Sequence, residues 1–463
     1  MEIINRLFQS LQQHSERPAF CMAGKFHTYG TLGEEISRLR SQIRLDVKPE
    51  ENVVPVMVRD DLTTYAMMMA LWMEGKGYLP LKPDAPEERN REILQRAGEC
   101  RDITCNVSIA YLLFTSGSTG VPKGVPVTFG NLSAFIEAFE ALGMPIDKED
   151  RFLQMFDLTF DMSVISWVFP LLYGACVYTI PVGKIKYLYA LRLMEEYQLT
   201  HAIMVPSIIN YLRPYIEDIH LPAMRGILFA GEALYEEVIY PWRKCVPNAL
   251  IFNSCGPTET TIVCTAYPCK PGDKLWPAHN GIITIGSEMK GTEIIIMDEE
   301  NNPLPVGETG EICMAGEQLF PGYINDDERN HSLFFKYGGK RFFRTGDMAF
   351  RDKDRLLFFA GRKDDQVKID GFRVELAEVE YHLKQIVSPR RVVVLSLLNE
   401  QKNNMLIAMI EGDTINVSEI KQQLRDTLPG YMIPSQFHFM PSFPQNANGK
   451  LDKRKITQCF LSC

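Results

Sequence analysis

One short stretch of the chain concentrates groups that could bind an anion. Residues Tyr111–Val125 read YLLFTSGSTGVPKGV, an apolar, β-rich run followed by Ser, Thr and Gly residues and by Lys123. A turn of this composition exposes several backbone N–H groups and hydroxyls at one point, which suits phosphate oxygens. The spacing does not satisfy the G-x-x-x-x-G-K-[ST] loop of nucleoside triphosphatases.

The same composition also suits a flexible surface linker, since Gly and Ser dominate linkers. Two features favour a binding loop: the apolar strand enters it directly, and Pro122-Lys123-Gly124 stiffens its exit. These residues therefore predict a phosphate site, with a linker as the alternative, and leave the role of Lys123 open.

The composition limits the classes of protein to consider. The chain has 463 residues and is 46% hydrophobic, which is ample for a large core and for two to four domains. A net charge of -9 argues against a general nucleic-acid binder, so local positive groups must meet any anionic ligand. The eleven cysteines contain no CxxC pair, which weighs against a zinc site and suits a reduced compartment.

The N-terminal region carries charges throughout and lacks the apolar core of a signal peptide. The sequence contains no apolar run of about eighteen residues, the length that a membrane helix needs. We therefore expect no membrane span and a cytoplasmic location.

The elements that must position these groups alternate between strands and helices over the first two-thirds of the chain. The apolar runs HAIMVPS, GILFAGE and ALIFNSCG each end in small or turn residues and are separated by helical stretches. This pattern predicts an α/β fold of parallel sheets with flanking helices, whose ligands gather at the carboxyl ends of the strands. From about Gly281 the pattern changes to hairpins, which predicts a β-rich subdomain.

A polar run, AGRKDDQVKIDGFRV, precedes a compact tail. We therefore predict a large domain, 1–363, and a small α+β domain, 364–463. The predicted elements of the tail are helix Glu375–Gln385, strand Arg391–Leu397, strand Met405–Glu411 and helix Val417–Thr427.

The loop and eight further motifs resemble, in order, the signatures of the adenylate-forming, or acyl-activating, superfamily. Nine motifs in order across almost the full chain make the resemblance specific. Within the superfamily the chain is most similar to amino-acid-adenylating enzymes, namely nonribosomal peptide synthetase adenylation domains and stand-alone D-alanine–carrier-protein ligases. The further motifs are TYGTL at Thr28, YLPLKPDAPEER at Tyr78, FDMS at Phe160, NSCGPTET at Asn253, GETGEI at Gly307, FRTGDMAF at Phe343, GRKDDQVKIDGFRVELAEVE at Gly361 and NGKLDKRK at Asn448.

The resemblance implies two reactions and a mobile C-terminal domain that rotates between them. A carboxylate first attacks the α-phosphate of ATP, giving acyl-adenylate and pyrophosphate, and the phosphopantetheine thiol of a carrier protein then takes the acyl group. The sequence has no GGxS carrier motif, so we expect a separate carrier protein that is docked by local positive groups. The candidates are Arg390, Arg391 and Lys453–Lys455.

The resemblance also assigns an ATP site, which the large domain carries together with the amino-acid site. Asp347 would bond to the ribose hydroxyls with Arg362 as its helper, and Glu259 would hold Mg²⁺, because a hard cation prefers carboxylate oxygen. Lys123 would counter the charge of pyrophosphate. The implied ATP-binding residues are Thr115, Ser116, Gly117, Ser118, Thr119, Gly120, Lys123, Gly231, Glu232, Ala233, Asn253, Ser254, Cys255, Gly256, Thr258, Asp347, Arg362 and Lys450.

Lys450 resembles the lysine that reaches from the small domain to bridge the substrate carboxylate and the nucleotide. A placed cation stabilises the charge that builds on the transferring group, and losing such a donor costs about 3–4 kcal/mol in the barrier. Lys450, Glu259 and Lys123 are therefore the predicted catalytic residues. Asp364 matches the hinge of the family, with an ordinary turn former as the alternative.

Asp161 in FDMS resembles the aspartate that pairs with the α-ammonium of an amino acid, since a buried ammonium needs a carboxylate. The near-copy FDLT offers Asp157 as an alternative register, but the spacing to Gly174-Ala175 favours Asp161. The implied pocket is apolar except for one serine, so we expect a small or medium apolar amino acid. The substrate-binding residues are Asp161, Met162, Ile165, Ile203, Leu228, Ala230, Ser254, Ile262, Val263 and Lys450.

One departure and two rival functions remain. Cys255 stands where the family usually has an aromatic residue that stacks on adenine, which predicts weaker ATP binding. An aryl or fatty acyl–CoA ligase of the same superfamily would not need Asp161. A non-catalytic nucleotide-binding protein would not need Lys450, Glu259 and Asp347 together.

Overall fold

A computed structural model describes residues 2–98, 108–117, 121–444 and 453–461. The chain forms two compact units, each made of several segments. The first unit contains Met1–Pro83, Arg96–Phe114 and Gly124–Lys363; the second contains Asp84–Gln95, Thr115–Lys123 and Asp364–Cys463.

The α-helices are distributed over both units. Their bounds are α1 Glu2–Gln13, α2 Tyr29–Asp46, α3 Leu62–Met73, α4 Glu87–Gly98, α5 Phe129–Glu140, α6 Asp161–Leu172, α7 Lys186–Glu196, α8 Ser207–Leu212, α9 Glu236–Cys245, α10 Asp327–Leu333, α11 Leu376–Val387, α12 Val417–Arg425 and α13 Lys453–Leu461.

The β-strands alternate with these helices in the first part of the chain. Their bounds are β1 Pro18–Met22, β2 Lys25–Thr28, β3 Val53–Met57, β4 Gly77–Leu81, β5 Ile109–Thr115, β6 Lys123–Thr128, β7 Arg151–Gln154, β8 Cys176–Thr179, β9 His201–Met204, β10 Gly226–Phe229, β11 Leu250–Cys255, β12 Thr265–Cys269, β13 Ala278–His279, β14 Ile282–Ile283, β15 Ser287–Glu288, β16 Thr292–Met297, β17 Gly310–Gly316, β18 Phe334–Tyr337, β19 Lys340–Arg351, β20 Leu357–Arg362, β21 Gln366–Ile369, β22 Phe372–Glu375, β23 Val392–Leu398, β24 Asn404–Glu411 and β25 Gln436–Met440.

The largest sheet of the first unit is parallel in its middle. Its strand order is β15-β12-β11-β10-β9-β7-β8-β1-β2, and β9, β10 and β11 run parallel to one another. These are the three apolar runs predicted to be strands, so the predicted parallel α/β fold is confirmed. The central strand β10 is fully buried and therefore continuously apolar rather than alternating.

The remaining sheets of the first unit are a four-stranded sheet, β3-β4-β5-β6, and an antiparallel sheet of β16 to β20. The antiparallel sheet lies in the part of the sequence where hairpins were predicted, which confirms the β-rich region. In this sheet β19 pairs with β20, and Asp347 lies opposite Arg362.

The second unit contains a three-stranded sheet, β23-β24-β25, and helices α11 and α12, which share a buried apolar cluster. The four elements predicted for the tail are present, with ends displaced by no more than two residues. Strand β25 was not predicted, although its run QFHFM alternates polar and apolar residues as a half-buried strand does. The predicted ranges 1–363 and 364–463 stay a domain prediction.

A tight hairpin in the second unit fixes the start of α11. Strands β21 and β22 pair from Gln366↔Glu375 to Ile369↔Phe372, which leaves the two-residue turn Asp370-Gly371. Both turn residues have positive φ, 49° and 83°, as a type I′ hairpin turn requires. The hairpin ends at Glu375, and α11 begins at the next residue.

Across the described residues, no helix combines the length and the apolar character needed to cross a membrane.

Candidate active site

Glu232 and Asn253, two of the predicted ATP-binding residues, lie at the carboxyl ends of β10 and β11. Glu232, just beyond β10, accepts hydrogen bonds from the backbone N–H of Ser207 (2.8 Å) and from its hydroxyl (3.1 Å). Asn253 is buried and donates its side-chain N–H groups to the carbonyls of Ile283 (3.1 Å) and Thr284 (2.9 Å). Both polar side chains therefore have fixed orientations at the edge where parallel strands usually bind ligands.

Asp347 and Arg362, the residues predicted to bind the ribose, form a direct pair. The guanidinium Nη1 of Arg362 donates to Oδ1 of Asp347 at 2.6 Å, and its Nη2 reaches the carbonyl of Thr345 at 3.4 Å. The side chains of Arg362 and Asp347 are only 14% and 12% exposed, respectively. A charge-assisted bond in such a setting holds the carboxylate in one orientation before any ligand arrives.

Glu259 is the predicted magnesium ligand and is fully buried. It lies in the short 3₁₀ helix Thr258–Thr260, and the hydroxyl of Tyr323 donates to its Oε1 at 2.5 Å. No cluster of three or more His, Cys, Asp or Glu side chains able to hold a metal occurs among the described residues. The donor set fits Mg²⁺, because this ion is commonly bound by one or two carboxylates together with nucleotide phosphates.

The backbone after Glu259 is strained. Thr261 and Ile262 have φ of 58° and 73°, which β-branched residues rarely adopt. Gln318 holds this segment in place, because its carbonyl accepts from the Thr261 hydroxyl (2.6 Å) and its amide donates to the carbonyl of Val263 (2.8 Å). A β-carbon on Gly256 would lie 2.6 Å from the Cα of Val263, so only glycine fits in this turn.

Two similar aspartates, Asp157 and Asp161, are the candidates for binding the α-ammonium, and their surroundings differ. Asp157 forms an ion pair with Lys82 (Nζ to Oδ2, 2.9 Å) and accepts from the N–H of Thr159 (3.1 Å). Burial alone would raise the pKa of Asp157, but Lys82 and these hydrogen bonds hold it below its ordinary value. Asp161 is the first residue of α6, is 5% exposed, and lies near enough to add to the rise that burial causes in the pKa of Tyr111.

The residues predicted to line the substrate pocket lie together. One buried apolar cluster contains Met162, Ile165, Ile203, Leu228, Ala230, Ile262 and Val263. Leu228 lies directly beside Ile203 on the neighbouring strand and beside Phe252 on the other side. Ser254, two residues after Phe252 on the same strand face, is buried, and its hydroxyl has no hydrogen-bond partner within the described part of the chain.

The start and the end of the phosphate loop belong to the second unit. Gly117 turns so tightly that a β-carbon would lie 1.9 Å from the carbonyl oxygen of Val121. Lys123 is 5% exposed and donates to Oε1 of Glu375 at 2.9 Å. Ser118, Thr119 and Gly120, and also Lys450, lie outside the described residues.

Asp364 and Cys255 are two further predicted site residues. Asp364 is the first residue of the last segment of the second unit, and its carboxylate accepts from the N–H of Gln366 at 3.3 Å. Cys255 ends β11 and is partly buried. The hinge role of Asp364 and the weaker adenine stacking of Cys255 stay predictions.

The residues that support this site were not predicted from the sequence. Tyr323 and Gln318 act on Glu259 and on the strained turn, and Glu375 binds Lys123. Glu375 lies inside the motif GFRVELAEVE, so its position could have been noted, but its partner is 252 residues away. Nothing local in the sequence indicates these pairings.

The chain is similar to known proteins in sequence and in structure. Residues 99–324 match the family model described as AMP-binding enzyme. The chain is 30% identical to Zwittermicin A synthase ZmaJ of Bacillus cereus, over 93% of this chain and 89% of that protein. It is 27% identical to the D-alanine--D-alanyl carrier protein ligase of Bacillus licheniformis, over 99% of both.

Other relatives are much longer. A linear gramicidin synthase of Brevibacillus parabrevis is 29% identical over 98% of this chain, but the chain spans only 10% of its length. Among solved structures, the adenylation domain AlmE of Vibrio cholerae, in complex with glycyl-adenosine-5'-phosphate, has a TM-score of 0.87 and 24% identity. That match covers 100% of this chain and 98% of the solved one.

Fold, motif order and sequence similarity therefore agree: the chain belongs to the AMP-binding enzyme family and is an ATP-dependent, adenylate-forming ligase of the kind found in nonribosomal peptide synthetase adenylation domains and D-alanine carrier-protein ligases.

Proposed function

We propose that this ligase activates a small or medium apolar amino acid and transfers it to the phosphopantetheine thiol of a separate carrier protein. In the first step a carboxylate oxygen of the amino acid attacks the α-phosphorus of ATP, the bond between the α-phosphorus and the bridging oxygen breaks, and pyrophosphate leaves. In the second step the thiol sulfur attacks the acyl carbon, and AMP leaves with the electron pair of the acyl–oxygen bond.

The observation that carries the amino-acid assignment is the buried position of Asp161, which is 5% exposed at the start of α6. Asp157 is already neutralised by Lys82, so an incoming ammonium gains less from it. Asp161 is followed on α6 by Met162 and Ile165, which belong to the buried apolar cluster. A buried carboxylate favours a cationic partner, and the α-ammonium of an amino acid supplies one.

The remaining groups have complementary roles in this proposal. Asp347, oriented by Arg362, accepts the ribose hydroxyls. Lys450 donates to the substrate carboxylate and the nucleotide, where charge accumulates during transfer. Mg²⁺, held by Glu259, would neutralise the phosphate charge when it is bound.

A carrier protein as the acyl acceptor is supported by the similarity to the D-alanine--D-alanyl carrier protein ligase, which aligns over nearly its full length. The predicted docking cations are partly engaged within the second unit. Arg391 donates to Oε2 of Glu411 at 2.7 Å, and Lys453 to Asp365 at 2.7 Å. Docking by Arg391 and Lys453 would therefore need an acidic partner that competes with Glu411 and Asp365.

Amino-acid-dependent ATP–pyrophosphate exchange over the common amino acids, their D forms and several aryl acids tests the proposal. We expect exchange with a small or medium apolar amino acid. Lys450→Ala should lower the rate by about two to three decades, and Asp161→Asn should raise the KM for the amino acid far more than the KM for ATP. Asp157→Asn is the matched control and should change the amino-acid KM much less.

Exchange with an aryl acid but with no amino acid would overturn the role of Asp161 and favour the acyl–CoA ligase alternative. A Lys450→Ala protein with full exchange would overturn the proposed mechanism. Nucleotide binding without exchange for any acid would favour the non-catalytic alternative.

A further inference from the structure

The groups of the phosphate loop that should meet an anion already hold two carboxylates of the protein itself. Lys123 Nζ lies 2.9 Å from Oε1 of Glu375, and the N–H of Gly117 donates to Oε2 of Glu378 at 3.1 Å. The Lys123 and Glu375 side chains are 4% and 6% exposed, and Glu378 is fully buried. We call Glu375 and Glu378 the acidic clasp.

Neighbouring residues hold the acidic clasp in position. Arg89 forms an ion pair with the second oxygen of Glu378, and the amide of Gln366 donates to Glu375. The hydroxyl of Ser116 donates to the carbonyl of Arg373 at 2.9 Å. The loop therefore meets the segment that ends the hairpin and begins α11 at three points, through two carboxylates and one carbonyl.

The charges in this cluster balance, with Arg89 and Lys123 against Glu375 and Glu378. Glu375 is the N-cap residue of α11, yet its side chain makes no capping bond to the helix and binds Lys123 instead. Burial, together with the charge of Glu375, raises the pKa of Glu378 although Arg89 opposes the rise. Glu378 is therefore held in its charged form at an electrostatic cost.

Phosphate oxygens need the same donors that the acidic clasp occupies. A buried lysine cannot neutralise a carboxylate and a phosphate at once, and two anions in contact repel strongly where water is excluded. A backbone N–H likewise donates well to one acceptor at a time. Occupation by the carboxylates and occupation by a polyphosphate are thus mutually exclusive.

We infer that Glu375 and Glu378 replace the phosphates of the nucleotide on this loop, so that ATP or pyrophosphate must displace the acidic clasp, which returns when pyrophosphate leaves. The inference rests on the proposed phosphate-binding function of the loop. The measured affinity for a polyphosphate then equals the intrinsic affinity multiplied by the fraction of molecules in which the clasp is released. The clasp lowers pyrophosphate affinity and favours the product side of the first step.

Direct binding of magnesium pyrophosphate, measured by isothermal titration calorimetry on the full chain, tests the inference. Glu375→Gln keeps the size of the side chain and a hydrogen bond to Gln366 but removes the charge that competes for Lys123. We expect this variant to bind pyrophosphate about five- to twentyfold more tightly than the unmodified chain, since a larger fraction of molecules is released. Unchanged or weaker binding by Glu375→Gln would overturn the inference.

Glu380→Gln is the matched control. Glu380 lies on the same helix. Its carboxylate accepts a hydrogen bond from the N–H of Val394 (3.0 Å) and lies 3.4 Å from Nζ of Lys453, and neither partner belongs to the phosphate loop. The pyrophosphate affinity of Glu380→Gln should stay within about twofold of that of the unmodified chain, as expected for a substitution that shares no partners with the phosphate loop. An equal gain in both variants would indicate a general loss of acidic charge and would overturn the inference.

Lys123→Ala separates failure of the clasp from failure of the proposed function. If Lys123→Ala loses pyrophosphate binding while Glu375→Gln shows no gain, the loop binds phosphate and only the clasp is wrong. If Lys123→Ala binds as well as the unmodified chain, or if no form binds, the phosphate-binding role fails and the clasp fails with it.

Hydrogen–deuterium exchange on the unmodified chain gives a readout that does not depend on a variant folding. Saturating pyrophosphate should increase exchange in residues 366–379, because the segment loses its bonds to the loop. A purely structural ion pair would show no increase there, and that result would overturn the inference.

Discussion

Two carboxylate–cation pairs, one in each unit, differ in what they do to a residue that is predicted to bind ATP. Asp347 and Arg362 lie 15 residues apart in the chain, on neighbouring strands, and their bond of 2.6 Å orients the carboxylate that is expected to bind the ribose. Lys123 and Glu375 lie 252 residues apart, and their bond of 2.9 Å occupies the cation that is expected to bind phosphate. The first pair orients the carboxylate that is proposed to bind the ribose, and the second pair occupies the cation that is proposed to bind phosphate.

The Asp347–Arg362 pair is an example of preorganisation, and the Lys123–Glu375 pair is an example of competition for a binding group. A group that is oriented before binding loses little conformational freedom when the ligand arrives, which favours affinity. A group that must first leave an internal partner lowers the apparent affinity by the fraction of molecules in which it has done so. We therefore expect the affinity for the nucleoside part of ATP to stay the same through the reaction. The affinity for its phosphates should instead depend on whether the acidic clasp is released.

The largest expected effect comes from removing one member of the occupied pair. Lys123→Met should lower the free energy of unfolding by about 3–5 kcal/mol, because it leaves Glu375 charged and buried without its cation. The double variant Lys123→Met/Glu375→Leu should recover most of this loss, since an apolar pair of similar volume needs no compensating charge. Urea unfolding of both variants measures the difference.

Lys340→Met is the control for that comparison. Lys340 pairs with Glu293 at the surface, where its side chain is 64% exposed, and a pair of this kind contributes about 0–1 kcal/mol. If Lys123→Met is no more destabilising than Lys340→Met, the Lys123–Glu375 pair is not a buried pair in solution, and the contrast between the two nucleotide-site pairs does not hold.

Asp347→Asn tests the other side of the comparison, with a smaller expected effect. Loss of charge-assisted bonds to the ribose should cost about 1.5–3 kcal/mol, or roughly 10- to 150-fold in the KM for ATP, with the amino-acid KM nearly unchanged. Asp354→Asn, an exposed carboxylate in the turn between the same two strands, is the control. Similar ATP constants for the two variants would show that Asp347 does not bind the nucleotide.

The parts of the fold that sequence could predict are those with a local pattern. The apolar runs at His201, Gly226 and Leu250 end in small residues, and this pattern alone predicts parallel strands with a ligand-binding edge. The order of nine motifs predicts that Asp347 and Arg362 belong to one site, and the paired strands β19 and β20 bring the two residues together.

The parts that could not be predicted depend on partners that are distant in sequence or on unfavourable local geometry. Lys82 forms an ion pair with Asp157, although no local pattern in the sequence links the two residues. Thr261 and Ile262 adopt positive φ against the ordinary preference of β-branched residues, because Gln318 holds the turn. Propensity describes what a residue favours alone, and here tertiary contacts outweigh it.

Asp60 is a carboxylate whose pKa is raised more by burial than it is lowered by its partners. Burial raises its pKa from 3.8 to about 6, although the nearby hydroxyls of Thr179 and Tyr65, and more weakly the charge of Lys186, lower it. Between about pH 4 and pH 6 the folded chain holds a proton on Asp60 that the unfolded chain has released. Its contribution to stability is therefore most favourable in acid and declines as the pH rises through this window.

Asp60→Asn should remove that part of the pH dependence, which is the smallest effect expected among these variants. Because Asp60 is not fully buried, solvent screens its charge, and we expect the variant to gain about 1 kcal/mol relative to the unmodified chain between about pH 4 and about pH 7. Urea unfolding across this range measures the difference. A difference in the free energy of unfolding that does not change with pH would mean that the Asp60 carboxyl titrates near its ordinary value. Burial of this carboxyl would then carry no cost.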